Sequence, residues 1–393
     1  MRKYAFAIIA GILVLFASLG LGRFAFGMVL PSMQTDLGIN ITQSGFIGTS
    51  NFLGYLGGLL FSGAFYSKFG APKLIVRSLL TQGLFMFLMT LGSSYISVSF
   101  FYFFAGFFGA LANMSIMAYI TQIVPKDIRG KAVGILTVGN GSAIVFSGYI
   151  VPYMESIYKA ASWKITWGIF AAITMLIAFI ISPGLKHDNP HANVKESDNE
   201  PYFEIFRDIR FIRISGIYFC FGITYVVYVT FFVLASMDKW HISSSLSAPF
   251  WILLGFLSMF SGALFGILAD KIGRWKTLSV VFLIQSISNL IMALDMPSSY
   301  LWVSASLFGI SVWATPSIMA VLTAETFGME KTAKIFSKIT IIFALGQIIG
   351  PVGAGYLTDI TKNFSYAFGV SSILTFLAFI GSSYIILKND RLI

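Results

Sequence analysis

Long apolar runs alternate with short polar turns from one end of the chain to the other. Each run holds about 20 residues with few charges, the length that an α-helix needs to cross the hydrocarbon core of a bilayer. The pattern predicts an all-α polytopic membrane protein with 12 transmembrane helices. The predicted spans are 5–31, 45–66, 74–93, 97–124, 132–153, 163–183, 211–236, 247–269, 276–295, 299–323, 335–358 and 364–387.

The composition and the distribution of charge support this prediction. Of the 393 residues, 57% are hydrophobic and 11% are charged, whereas soluble domains carry about 25% charged residues. Of the 26 Lys and Arg residues, 21 lie near the chain ends or after even-numbered spans, and 4 lie in the other turns. Because basic residues favour the cytoplasmic side, we expect both termini in the cytoplasm and the protein in the cell (plasma) membrane. The net charge of +10 is then a topology signal, so we expect no nucleic-acid partner.

A short charged turn occurs twice, as GAFYSKFGAPK at 63–73 and as GILADKIGRWK at 266–276, with an offset of 203 residues. Duplication of half a membrane protein is a known transporter plan. The polar stretch between the copies holds His187 and His191, which we interpret as part of a solvated linker and not as a metal site. We expect no metal or cofactor. The predicted organisation is an N-terminal six-helix bundle at 1–185, a cytoplasmic linker at 186–208 and a C-terminal six-helix bundle at 209–393.

The second copy of the turn resembles motif A of the major facilitator superfamily (MFS), G-x-L-A-D-[RK]-x-G-[RK]-x-[RK]. Two further stretches, 22–33 in the first span and 222–231 in the seventh, look like the YbfB-like branch of that superfamily. The resemblance covers the whole chain. It implies the MFS fold, two pseudo-symmetric six-helix bundles that transport a substrate by alternating access. It also implies a carrier and not an enzyme.

In this superfamily the acidic residue of motif A contacts a helix end and neighbouring basic residues, which stabilises one conformation of the carrier. The first copy departs from the motif because Ser67 replaces that acidic residue. The resemblance implies a gating role for the matching positions, weaker in the first half. The expected gating residues are Gly63, Lys68, Gly70, Gly266, Asp270, Lys271, Gly273 and Arg274.

Arg23 is the charged residue that lies deepest in a predicted span. An Arg at such depth costs about 2.5–3.5 kcal/mol on insertion scales, so it should face a cavity or a partner. Because a guanidinium binds a carboxylate or phosphate through two hydrogen bonds, we expect Arg23 to bind an anionic substrate. The alternative is a structural Arg that bonds backbone carbonyls or reaches the outer surface. No Asp or Glu lies deep in a predicted span, which argues against a cationic substrate and against a relay of buried carboxylates.

Polar and aromatic residues at mid-depth, in the spans that line the cavity in this superfamily, are further substrate-binding candidates. Amides can bond substrate oxygens and tyrosine hydroxyls can donate to a carboxylate, although helix packing explains each one alone equally well. Tyr225 and Tyr228 rank highest because they lie three residues apart on one helical face. The others are Asn51, Asn113, Asn140, Trp251, Trp313 and Gln347.

These features predict a secondary active or facilitative transporter of a small organic anion, similar to a monocarboxylate or another weak acid. Proton symport, uniport and anion exchange remain open. The first alternative is an efflux carrier for amphipathic or aromatic compounds, suggested by 16% aromatic residues and 15 Met. A second alternative is a membrane sensor or receptor on a transporter fold. We expect a monomer whose partners are the small-molecule substrate and the lipid bilayer.

Overall fold

A computed structural model describes residues 4–185 and 203–389 as a bundle of long helices. We number the helices in chain order and treat a bent helix as one element. They are α1 (Ala5–Leu37), α2 (Ile41–Phe69), α3 (Ala71–Met89), α4 (Tyr95–Ile123), α5 (Lys126–Leu136 and Val138–Tyr158), α6 (Ser162–Ile181), α7 (Ile209–Trp240), α8 (Ser244–Ile272), α9 (Arg274–Ala293), α10 (Tyr300–Ser311 and Ala314–Phe327), α11 (Met329–Thr361) and α12 (Phe364–Asn389).

The helices have the length and the apolar character of membrane spans. Within the described residues, 10 stretches meet both conditions, and one of them, Ile128–Gly184, combines most of α5 with α6. α2 is outside these stretches, in keeping with its many glycines, but it is a helix of 29 residues, as long as α4. The all-α membrane fold of two six-helix bundles is therefore confirmed, and the structure is consistent with the 12 predicted spans.

Sequence signals at the helix ends explain where the chain turns. Asn40 begins α2 with a capping box, in which its side chain accepts from the N–H of Gln43 (2.8 Å) and the Gln43 side chain accepts from the N–H of Asn40 (3.0 Å). Gly70 and Gly273, which match each other in the repeated turn, have φ values of 71° and 96° and ψ values of 158° and 154°. Only glycine adopts this region readily, so the backbone of the turn explains the repeated glycine. Gly328 has the same conformation between α10 and α11, with φ 84° and ψ 151°.

The most extensive contacts between the two halves are made by three pairs of helices: α2 with α11, α5 with α8, and the last part of α1 with α7. The backbones approach very closely at these contacts. A Cβ on Gly27 would lie 2.0 Å from the carbonyl oxygen of Val229, and one on Gly45 would lie 2.3 Å from that of Pro351. Glycine is therefore required at both positions, as is common where membrane helices pack tightly.

Two carboxylates connect the halves at one face of the bundle. We call this face, at which the odd-numbered helices end, the far face. Asp359 of α11 accepts hydrogen bonds from the N–H groups of Ile41 (3.3 Å) and Thr42 (2.8 Å) at the start of α2, and from the Thr42 hydroxyl. Glu155 of α5 accepts one from the Ser244 hydroxyl at the start of α8. The first N–H groups of a helix lack partners within the helix and favour a negative charge. Corresponding helices of the two halves thus form corresponding contacts.

The opposite face, where the odd-numbered helices begin, is called the basic face here. A Cβ added at Gly63 of α2 or at Gly266 of α8 would meet no atom within 4 Å beyond its own helix. Neither glycine therefore has another helix beside its Cβ position. We call the far face closed because Asp359 and Glu155 connect the halves there.

The bounds of the two halves and of the linker stay predictions. Residues 186–202, which hold most of the predicted linker with His187 and His191, lie outside the described residues.

We expect Asp359→Asn to weaken the closed far face, because the amide loses the negative charge and one acceptor at the start of α2. Capping contacts contribute about 0.5–2 kcal/mol, so the population open at the far face should rise about 2- to 30-fold. A cysteine reporter at Thr49, whose hydroxyl donates to the Ile348 carbonyl across the halves (2.8 Å), should then react faster with a water-soluble maleimide. The measurement uses a Cys220→Ala background.

The matched control is Asp238→Asn, since Asp238 is an exposed carboxylate near the end of α7 that lies at the far face. It should leave the labelling rate unchanged. Equal labelling rates in Asp359→Asn and in the parent would contradict the proposed role of this contact.

Candidate functional site

α1 departs from regular α-helical geometry in the middle of the bundle. Residues Phe16–Phe24 are π-helical, and the N–H of Ala25 donates to the carbonyl of Gly20 at 2.9 Å. Such π-helical turns are rare in proteins, and those that do occur often lie at functional sites. Other helices approach here closely, since a Cβ on Gly22 would lie 2.2 Å from the Nε2 atom of Gln82. This segment carries Arg23.

Arg23 is buried, with 7% of its surface exposed. Its Nε donates to Oδ1 of Asn51 at 3.1 Å, and its guanidinium carbon lies 4.4 Å from the ring centre of Phe52 and 4.0 Å from that of Tyr55. Its Nη2 is buried without a hydrogen-bond partner among the described residues. No described carboxylate forms an ion pair with it. The positive charge therefore lacks a counter-ion within the described part of the protein.

Asn51 holds the guanidinium in place. Its Nδ2 donates to the carbonyl oxygens of Gly22 (3.3 Å) and Tyr102 (3.2 Å), which directs its Oδ1 toward Arg23. The Tyr102 hydroxyl donates to the Arg23 carbonyl at 3.4 Å. α4 approaches α2 so closely that a Cβ on Gly106 would lie 2.2 Å from the Asn51 carbonyl oxygen. Three helices, α1, α2 and α4, thus fix the position of Arg23.

The second half contributes Tyr225, Gln347 and Trp313 to the same region. Tyr225 is 3% exposed, and its hydroxyl lies close enough to the Arg23 guanidinium for the two groups to interact electrostatically. Gln347 of α11 donates from Nε2 to the Tyr225 hydroxyl. The Trp313 ring lies edge-on to Tyr225, with 6.2 Å between the ring centres, and 4.8 Å from the ring of Phe24. Side chains of both halves therefore meet beside Arg23.

Asn113 of α4 is connected to this cluster through Tyr55. Its Nδ2 donates to the Tyr55 hydroxyl at 2.7 Å, while its Oδ1 is buried without a partner among the described residues. The Nε1 of Trp313 is buried without a described partner too. Because nearly all buried polar groups in proteins are hydrogen-bonded, these unpaired atoms mark positions where a polar ligand would find partners.

For three predicted binding residues, no described hydrogen bond or ring contact leads to Arg23 or Tyr225. The Tyr228 hydroxyl forms a hydrogen bond with the Ser304 hydroxyl (2.7 Å) inside the second half. Trp251 donates from Nε1 to the Ser147 hydroxyl (3.0 Å), where α8 packs on α5. Asn140 of α5 is 6% exposed, and its Oδ1 has no partner among the described residues. Tyr225 and Tyr228 therefore have different surroundings although they share one helix.

The predicted gating turns differ between the halves. In the second turn Arg274 pairs with Asp270 and donates from Nε to Oε1 of Glu325 at 3.1 Å, which links α8 and α9 to the end of α10. In the first turn the Ser67 hydroxyl donates to the Ala64 carbonyl of its own helix at 3.0 Å. Among the described residues of these two turns, ion pairs therefore occur only in the second turn.

The lysines of the two turns lie at the surface. The Lys68 ammonium lies 5.4 Å from the ring centre of Phe69, and the Arg77 guanidinium lies 4.9 Å from the same ring. Lys271 is exposed. Cation–ring contacts thus take the place of the ion pairs in the first turn.

Phe52 and Tyr55, which flank the guanidinium, were not among the predicted site residues. Tyr55 lies four residues after Asn51 and so shares its helical face, a spacing that would have pointed to it. The π-helical segment has no comparable signal in the residue pattern.

Comparisons with known proteins agree with this architecture. Residues 15–382 match the family described as the uncharacterised MFS-type transporter YbfB. Human synaptic vesicle glycoprotein 2C is 28% identical over 156 residues, which are 37% of this chain and 22% of that protein. The match thus spans about a fifth of that relative's length.

Other similarities extend over most of the chain. The hexuronate transporter of Bacillus subtilis (strain 168) is 20% identical over 381 residues, covering 88% of this chain and 86% of that protein. The crystal structure of the nucleoside transporter NupG superimposes with a TM-score of 0.78 at 12% identity, covering 98% of this chain and 99% of that one. This structural likeness shows the fold. Because the family match extends over nearly the whole chain, the protein belongs to the YbfB family of major facilitator superfamily transporters.

Proposed function

We propose that this transporter moves a small organic anion, similar to a monocarboxylate or another weak acid, and that Arg23 binds its carboxylate. The observation that carries the proposal is the buried guanidinium whose Nη2 has no described partner. A buried charge without a partner costs several kcal/mol. A bound carboxylate would offset this cost through charge-assisted hydrogen bonds.

Residues of both halves would hold the bound anion. The Tyr225 hydroxyl accepts from Gln347, so its own proton is available to a carboxylate oxygen. Because Arg23 and Tyr225 belong to different halves, an anion between them would be held more tightly when the halves are close. Such differential binding is what couples a ligand to a conformational change. Alternating access by rocking of the halves would follow.

Proton coupling, if present, would be a property of the substrate. Within the described residues, Asp and Glu lie at or near helix ends, so they form no relay through the bundle. A weak acid can carry the proton itself. The hexuronate transporter supports an acidic substrate, because its named substrate is an acid.

The membrane orientation is part of the same proposal. The basic face would lie on the cytoplasmic side of the plasma membrane by the positive-inside rule. With the far face closed, the structure would then correspond to a carrier that releases or receives its substrate on the cytoplasmic side.

We expect Arg23→Gln to abolish the stabilisation of the purified protein by small carboxylates, because the amide cannot provide the charge. Arg23→Lys should retain the charge but weaken binding about tenfold, since an ammonium lacks the planar fork. Thermal unfolding and isothermal titration calorimetry with acetate and benzoate measure these effects. Arg207→Gln, which changes an exposed Arg before α7, is the control. Unchanged carboxylate binding in a folded Arg23→Gln protein would reject the proposal.

We expect Arg274→Gln to slow transport without weakening substrate binding. The substitution removes the links to Asp270 and Glu325 at the basic face, on a turn that lies outside the Arg23 cluster. In proteoliposomes the maximal uptake rate should fall several-fold while KM stays within about twofold. A large rise in KM at an unchanged maximal rate would contradict a gating role for this turn.

A further inference from the structure

The charge of Arg23 lies among aromatic rings that come from both halves. Two rings on α2 flank the guanidinium, as described above. On the other half, Phe343 of α11 stacks between two rings of α7, with its ring centre 4.1 Å from Tyr218 and 5.9 Å from Tyr225. The surroundings of the proposed anion site are therefore flat and apolar, apart from a few polar atoms.

Trp313 supplies one of these polar atoms. Its buried Nε1 has no partner among the described residues, although a buried Trp N–H usually finds one. Other buried tryptophans here follow that rule, since Trp163 donates to the Asp36 carboxylate (2.7 Å) and Trp251 donates to Ser147 (3.0 Å). The unpaired N–H of Trp313 is thus an exception that needs a ligand or another explanation.

The position of the Trp313 ring is set by the backbone. α10 is interrupted at Trp313, which has φ −92° and ψ 1°. The backbone N–H of Trp313 donates to the Ser261 hydroxyl at 3.0 Å. The interruption places the ring between Phe24 of the first half and Tyr225 of the second. Arg23 and Trp313 therefore present unpaired N–H groups from different halves, and Tyr225 lies beside both.

We infer that the anion is an aromatic carboxylate that carries a hydrogen-bond acceptor away from its carboxylate group. This inference rests on the proposed function. The carboxylate binds Arg23, the ring packs against the aromatic side chains, and the distant acceptor receives the Nε1–H of Trp313. A saturated acid lacks the aromatic face, and a short acid lacks the second polar group.

Calorimetric titration of the purified full-length protein tests this inference. The probes are 4-hydroxybenzoate, benzoate, cyclohexanecarboxylate, acetate and the neutral benzamide. We expect 4-hydroxybenzoate to bind best, benzoate to bind better than cyclohexanecarboxylate, and acetate to bind weakly. Trp313→Phe keeps a ring but removes the N–H, so it should weaken 4-hydroxybenzoate about three- to tenfold more than benzoate, as for the loss of one hydrogen bond.

The control is Trp302→Phe on the same helix, because Trp302 is 47% exposed and its ring packs against Phe250. It should affect no probe. Equal affinities for benzoate and cyclohexanecarboxylate would overturn the inference, as would an equal loss of benzoate and 4-hydroxybenzoate in Trp313→Phe. Failure of both aromatic acids to bind the folded parent protein would overturn it too.

Failure of the inference and failure of the proposed function give different results. If Arg23→Gln loses every carboxylate alike and the parent shows no preference for a ring, the anion carrier stands and the aromatic substrate is rejected. If benzamide binds as tightly as benzoate to the parent and to Arg23→Gln, the anion carrier itself is rejected.

Discussion

A positive charge held away from water is the constraint on which the centre of this structure depends. Arg23 has no described counter-ion, so its surroundings must stabilise it by other means. Asn51 provides an oriented amide oxygen, and two aromatic rings present their electron-rich faces. The glycines that bring α2 and α4 together make this arrangement possible. Packing, helix geometry and electrostatics at the centre therefore serve one guanidinium.

The fold could be predicted well from the sequence because a bilayer restricts the solutions. Every backbone polar group inside the hydrocarbon must be paired within the protein, so apolar runs of sufficient length become helices. The matching of Gly70 with Gly273 followed from a backbone conformation that other residues avoid. The π-helical segment of α1 could not be predicted, since it depends on contacts with helices far away in the chain. α1 also continues to Leu37, beyond the predicted end at residue 31, because Pro31 is accommodated within the helix.

The candidate site was predicted in part. Arg23 could be identified from its depth alone, and Asn51, Gln347 and Trp313 lie near it. Helical periodicity indicates which residues share a face, but it does not identify the neighbour that the face meets. The pattern therefore could not predict that Tyr228, one turn from Tyr225, packs within the second bundle. Its role in binding stays a prediction, like that of every other residue of the site.

The paired carboxylates at the far face have a consequence for the lifetime of the closed state. If each half moves as a rigid body, the contacts of Asp359 and Glu155 must break in the same movement. Their contributions then add in one activation barrier. Since each 1.4 kcal/mol multiplies a lifetime about tenfold, two contacts of about that size would lengthen it about a hundredfold. Duplication of half the chain would thus have supplied a second contact that prolongs the closed state, as well as a second bundle.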